Sequence, residues 1–216
     1  MIIVRYADDI VCGFKHEGEA RRFMAELKQR FRAFELSLNG QETRLLEFGR
    51  FAAQNRARSG LSKPETFNFL GFTHICSRAR SGAFQLQRKT RSDRMPTKLK
   101  GIKEGLRRQR HGSFVSQGQW LNRVYRGYCA YHVVPTNLKQ LNTFRHHILV
   151  DWWRQLRRRS QKDRTRWETM SQLAERWLPT PRLLHPWPDS RFFVKHPRWE
   201  PSARIGPARI CAGSAQ

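Results

Sequence analysis

The stretch IIVRYADDIVCGF, residues 2–14, sets two runs of β-branched and aromatic residues, 2–6 and 10–14, on either side of Ala7-Asp8-Asp9. Such runs around turn-forming residues read as a β-hairpin with its turn at the acidic pair. Adjacent carboxylates raise each other's pKa unless a cation sits between them. Magnesium answers that need, because it takes one or two carboxylates and keeps positions for phosphate oxygens. Two such ions can align a hydroxyl with a triphosphate. Asp8 and Asp9 are therefore candidate catalytic and metal-binding residues. The plainer reading of an Asp-Asp pair is a well-solvated turn.

Outward from the hairpin, Ala20, Phe23, Met24, Leu27, Phe31 and Phe34 recur at helical spacing and predict one amphipathic helix. Short strands are expected at 36–38 and 43–48. Residues 49–65 are polar, contain Gly60 and Pro64, and read as a loop. Residues 67–72, FNFLGF, read as a further strand whose partner includes Phe84 and Leu86, beyond the Ser81-Gly82 turn.

Past residue 90 the pattern becomes helical. Leu99, Ile102 and Leu106 mark one helix; Trp120, Val124, Tyr128 and Tyr131 a second; Leu138, Leu141, Phe144, Ile148, Trp152 and Leu156 a third. Together they predict a three-helix bundle over about 97–159. Thr136 or Asn137 is the expected N-cap of the third helix. A short helix holding Met170, Leu173, Ala174 and Trp177 follows. The Pro- and Trp-rich segment 177–188, WLPTPRLLHPWP, is expected to lie extended on something else. The expected fold class is α+β, with domains at 1–90, 91–166 and 167–216.

Charge separates these segments further. The 216 residues carry a net charge of +25. Residues 86–166 hold 21 basic and 4 acidic groups, a net of +17, against +5 for 1–85 and +3 for 167–216. A body this positive repels itself unless a polyanion neutralises it, and nucleic acid is the usual one. Cations favoured at helix C-termini account for a few of these residues, but not for the whole excess. The candidate RNA-binding set is Arg107, Arg108, Arg110, Arg145, Arg154, Arg157, Arg158, Arg159, Lys162 and Arg164. Trp152 falls on the apolar stripe, whereas Trp153 falls off it and is free to stack on a base or on the tail. His146 and His147 are adjacent on a helix and diverge by about 100°, so they rarely share a metal. The cysteines, Cys12, Cys76, Cys129 and Cys211, form no CxxC pair and are expected as reduced thiols. No apolar run has membrane-spanning length and the start lacks a signal-peptide pattern, so a soluble, cytoplasmic protein with no membrane partner is expected.

In this order the motifs resemble the carboxyl-terminal part of a group II intron reverse transcriptase/maturase. Arg5-Tyr6-Ala7-Asp8-Asp9-Ile10-Val11 resembles the YADD box of the palm, and Leu36-Ser37-Leu38 to Thr43-Arg44-Leu45 the next palm block. Phe69, Leu70, Gly71 and Phe72 resemble the primer-grip hairpin. Residues 97–160, with Arg126-Gly127-Tyr128 and Arg145-His146-His147, resemble the maturase X domain, or thumb. The resemblance implies a partial palm of β-hairpins plus a helix, then a three-helix thumb and an extended tail. It implies magnesium where a complete polymerase site is assembled, group II intron RNA as partner, a DNA primer or target, an amino-terminal reverse transcriptase half, and a role in splicing and retrohoming in bacterial cytoplasm, near the nucleoid.

Three departures from the family shape the expected activity. The fingers and the upstream palm Asp have no counterpart in this sequence, so the isolated chain is expected not to polymerise. Glu42 stands before Thr43 where the family usually has Lys, and a carboxylate would repel the leaving pyrophosphate. No Cys/His spacing suits the zinc-bearing endonuclease domain of many relatives. An RNA-binding maturase module is thus the leading expectation. The alternatives are the carboxyl-terminal half of a split RNA-directed DNA polymerase and a non-functional remnant.

Overall fold

The structure is a computed structural model that describes residues 1–159, 166–183 and 187, without the side chain of residue 173, and the backbone of 209–214. It is a mixed α+β fold in two units, residues 1–87 with 196–216, and residues 88–195.

In the first unit β1 (Ile2–Tyr6) and β2 (Asp9–Phe14) pair antiparallel, with Tyr6 opposite Asp9, so Ala7 and Asp8 form the turn. Helix α1 (Glu17–Arg32) follows because its apolar residues return to one face, which lays Ala20, Phe23 and Met24 against Cys12 and Phe14. The expected strand at 36–38 shrinks to a single bridging residue, Leu38, because Glu35 takes a left-handed φ of 57° and breaks the approach. The expected strand at 43–48 is β3 (Arg44–Glu47). The expected loop at 49–65 contains a helix, α2 (Ala52–Arg58), anchored by the fully buried Ala52 and by Asn55 donating to Glu47.

Residues 67–72 are not one strand. Leu70 and Gly71 both take positive φ, 49° and 72°, and turn the chain between β4 (Phe67–Phe69) and β5 (Phe72–Arg78). Two positive φ values in a two-residue turn suit the right-handed twist of a hairpin. It is β5 that neighbours β6 (Phe84–Thr90). A strand outside the expectations, β7 (Arg209–Ser214), lies between β2 and β3, antiparallel to both. Strand β1 stays at the sheet edge, with Ile2, Ile3, Val4 and Tyr6 exposed.

The second unit is built from α3 (Arg94–Arg108), α4 (Phe114–His132), α5 (Leu138–Arg157) and α6 (Trp167–Glu175). One core joins Ile102 and Leu106, Leu121 and Tyr125, the α5 stripe Leu141, Phe144, Ile148 and Trp152, and Met170 and Ala174. The expected stripe on α4 is displaced. Its buried residues are Gln117, Gly118, Leu121, Tyr125, Tyr128, Cys129 and His132, whereas Tyr131 is 52% exposed and Trp120 and Val124 are half-buried. Asn137 is the N-cap of α5 but its side chain does not cap the helix. It is buried, accepts from the Thr90 amide, and donates to Thr90 Oγ1 and the His132 carbonyl. Thr136 holds a left-handed φ of 76° while its hydroxyl exchanges hydrogen bonds with the Arg88 backbone.

The start of the segment expected to be extended packs on this unit itself. Asn122 donates to the Trp177 carbonyl, Tyr125 to Pro179 and Arg145 to Leu178. A Cβ on Gly118 would lie 2.7 Å from the Trp177 indole, so only glycine admits this approach. Trp153 meets Trp167 of α6 edge to face.

The core of this unit is far larger than the two small clusters around Cys12 and Leu46. Proteolysis samples opened states, which are rarer where more apolar surface is buried. A resistant fragment spanning α3 to α5 is therefore expected from limited trypsin digestion read by mass spectrometry. Longer survival of fragments from residues 1–87 would overturn that ranking.

His132 adds a pH dependence. Its ring stacks on Tyr128 at 4.1 Å and its Nδ1 lies 3.0 Å from the Tyr128 carbonyl. Burial, with the nearby Arg94 charge, pulls its pKa below the ordinary 6.5. The folded state therefore favours neutral imidazole. That stability is complete above the unfolded value and is lost as pH falls below it. The thermal midpoint should drop between about pH 7 and pH 5, and drop less in His132→Gln. Equal drops in the two proteins would remove His132 from the account.

Candidate nucleic-acid interface

The two arginine clusters of the bundle lie far apart in sequence, at the end of α3 and the end of α5. The fold brings them together. Arg110 donates to Gln155 Oε1 at 3.1 Å through Nη2, and Arg159 donates to the Gly112 carbonyl at 2.6 Å. These bonds tie the α3–α4 connection to the last turns of α5. A concavity of about 500 Å³ opens there among Glu104, Arg107, Arg108, Arg110 and His111.

A polar network beneath holds the connection in place. Gln117, fully buried on α4, donates to the Gln109 carbonyl and accepts from Trp152 Nε1 at 2.8 Å. The Trp152 ring stacks on Phe114 at 4.6 Å. Ser113 caps α4 by accepting from the Ser116 amide. The backbone that carries Arg107 to His111 is thus fixed before any ligand arrives.

The candidate RNA-binding residues now divide by what they touch. Arg107, Arg108, Arg154, Arg157 and Arg158 are exposed. Arg157 places its guanidinium 5.0 Å over the Trp153 ring, which orients it while leaving its edge available. Arg110 and Arg159 are half-buried and hold the corner together, and Arg145 holds the segment at Leu178. Lys162 and Arg164 lie outside the described residues. His146 and His147 are exposed, with His146 edge-on to Trp167.

Comparison with protein-family models, with curated proteins and with solved structures finds no match to this chain. The chemistry of the corner therefore rests on its residues. Helices α3 and α5 both end here, and their C-terminal carbonyls favour nearby cations by about 0.3–1 kcal/mol each. That effect explains an Arg in each last turn. It does not relieve the repulsion among five exposed guanidiniums gathered at one end, where Glu104 is the acidic group in the concavity. A ligand rich in phosphate would relieve it, and forked guanidinium donors match phosphate oxygens.

In the first unit the acidic turn is exposed. Asp8 sits in the turn and Asp9 opens β2, while Arg5 Nε donates to the Ala7 carbonyl at 3.0 Å. Ala7 has a φ of 51°, a conformation that costs a non-glycine residue roughly 1–2 kcal/mol. Among the described residues no group of three His, Cys, Asp or Glu side chains is gathered to hold a metal. Asp8 and Asp9 could hold one magnesium alongside phosphate and water, but two carboxylates are too few for a two-metal site. Of the four residues expected as a primer grip, Phe72 is buried, while Phe69, Leu70 and Gly71 are half-buried at the hairpin tip. Glu42 lies exposed in the turn before β3. Among the described residues no helix is long and apolar enough to cross a membrane.

Proposed function

We propose that this chain is a carboxyl-terminal portion of a group II intron-type reverse transcriptase/maturase, and that its helical unit binds structured intron RNA. One observation carries the binding part: two arginine clusters distant in sequence meet at one end of the bundle, on a backbone held by Arg110, Gln117 and Arg159. The order of motifs supports the family part, with an acidic hairpin turn, a Phe-Leu-Gly-Phe hairpin and then a basic bundle.

The corner would act by positioning. Exposed guanidiniums neutralise phosphates and release their counterions, which supplies affinity without reading sequence. Specificity would come from RNA shape, since fixed cations fit only some arrangements of phosphates. Support of splicing follows if the bound shape is the folded intron. Filter binding of a group II intron RNA to the whole chain across a salt series tests the reading. A steep fall in affinity with salt is expected, together with tighter binding to the folded intron than to an unfolded RNA of equal length. Equal affinity for the two RNAs would leave only non-specific attraction and defeat the maturase reading.

A further inference from the structure

On α4 Tyr128 belongs to the core, while Trp120 and Val124 are only half-buried against it and stand outside the basic corner. All three line one side of a groove of about 610 Å³ whose other side is α3. From α3 come Arg94, Lys98 and Gly101, which share a face because they are spaced by four and three residues. From α4 come Trp120, Tyr128 and His132. The groove's α3 lining runs from Arg94 to Ile102, about 12 Å of helix toward the end of α3 away from the corner's Arg107 and Arg108.

Three features of this groove point to one kind of occupant. Its aromatic wall is ordered: the half-buried Trp120 indole lies against Gly105, where a Cβ would come within 2.5 Å of it, and the Tyr128 and His132 rings, both buried, stack 18° from parallel with Tyr128 also stacked on Phe144. Its floor is open at Gly101, where a Cβ would meet nothing within 4 Å. A mid-helix glycine disfavours the helix relative to alanine, yet here neither a turn nor a close contact requires it. Its charge is positive. Arg91 and Asp93 satisfy each other at 2.6 Å, while Arg94 and Lys98 are exposed. A half-buried indole beside cations, in a volume within the roughly 300–1,000 Å³ of small-ligand sites, suits a nucleobase with its phosphates.

We infer that the α3–α4 groove binds an unpaired stretch of RNA, with a base against Trp120 and the adjoining phosphates on Arg94 and Lys98. The inference rests on the RNA-binding reading above and adds a second surface with a different substrate: single-stranded rather than folded RNA. A base needs only a π face and open space, so the groove tolerates any sequence, and the Gly101 gap is the space it occupies.

The test uses the full chain, a fluorescein-labelled oligouridine too short to fold, and a labelled blunt RNA hairpin, read by anisotropy. Gly101→Leu fills the gap without meeting a neighbour at Cβ. It should weaken oligouridine binding about tenfold, the loss of one stacked base, and leave the hairpin unchanged. Arg94→Gln with Lys98→Gln, both exposed, should also weaken the oligouridine and serves if Gly101→Leu melts early. Removing the corner arginines should give the opposite pattern. Unchanged oligouridine affinity in both groove variants would overturn the inference, as would equal weakening of both RNAs in Gly101→Leu. A shift from dimer to monomer on sedimentation of Gly101→Leu, with RNA binding intact, would assign the groove to a second copy of the chain and overturn it too. Failure of the wild-type chain to bind either RNA would instead remove the RNA-binding reading and this inference with it.

Discussion

Changing Arg107, Arg108, Arg157 and Arg158 together to Gln should lower affinity for structured RNA by roughly a hundred- to a thousandfold at about 0.1 M salt. Each exposed guanidinium that neutralises a phosphate adds about 0.7–0.9 to the slope of log affinity against log salt, so four should flatten it by roughly three units. The four are chosen because they face solvent, whereas Arg110 and Arg159 carry the hydrogen bonds that hold the corner. Including Arg159 would mix loss of charge with loss of the Gly112 contact. Circular dichroism and the thermal midpoint should match the wild type, since surface changes of this kind move stability little. The control removes four charges from α1 instead, at Arg21, Arg22, Arg30 and Arg32. If that control lost as much affinity and slope, net charge alone would govern binding and the corner would have no special role.

The periodic parts of this fold can be read directly from sequence. On α5 the apolar residues recur over five turns from Leu138 to Leu156, and the helix runs Leu138–Arg157. The acidic hairpin is equally plain, because β-branched runs on both sides of Ala7-Asp8 admit one register that pairs Tyr6 with Asp9. Elements too short to show a period escape. Helix α2 has Ala52 as its single buried residue, so nothing repeats. Strand β7 reads RICAGS, with two small residues and a glycine, and its place between β2 and β3 depends on partners far back in the chain. The turn at Leu70-Gly71 hides because Leu70, not a usual turn residue, takes the positive φ.

On α4 the period is right and the phase is wrong. Aromatics sit on two adjoining faces, and Trp120 competes with Leu121 as the start of the buried stripe. Burial fell to the Leu121 side, leaving Trp120 and Val124 to line a groove. The candidate interface shows a similar limit. Composition places the positive charge in the right third of the chain, but it cannot tell a solvent-facing Arg157 from an Arg159 that holds a carbonyl. That difference needs the partners Gln155 and Gly112, which only the folded bundle brings near. Gln117 carried no signal at all, because a lone polar residue on a helix is usually exposed.

Gln117→Leu should destabilise the bundle although it keeps the side-chain volume. Gln117 is fully buried, and its amide accepts from Trp152 Nε1 while donating to the Gln109 carbonyl. Leucine has nearly the same volume, so little packing is lost. What remains is a buried indole N–H without a partner, costing about 1–3 kcal/mol, while the Gln109 carbonyl keeps the Gly112 amide. For a unit of this size that lowers the thermal midpoint by on the order of 10 °C. Because the Gln109 carbonyl belongs to the connection that carries Arg110 and His111, RNA affinity should also fall several-fold. The salt slope should stay as in the wild type, since no charge is removed. That split, affinity down and slope unchanged, separates a positioning role from a direct contact. The indole supplies the second check. In a Trp152→Phe background the N–H is already gone, so adding Gln117→Leu should cost at least about 1 kcal/mol less than it does alone. Thermal and urea unfolding of the four proteins would measure that coupling. A Gln117→Leu protein within about 0.5 kcal/mol of wild type would show that the network beneath the corner does not hold it.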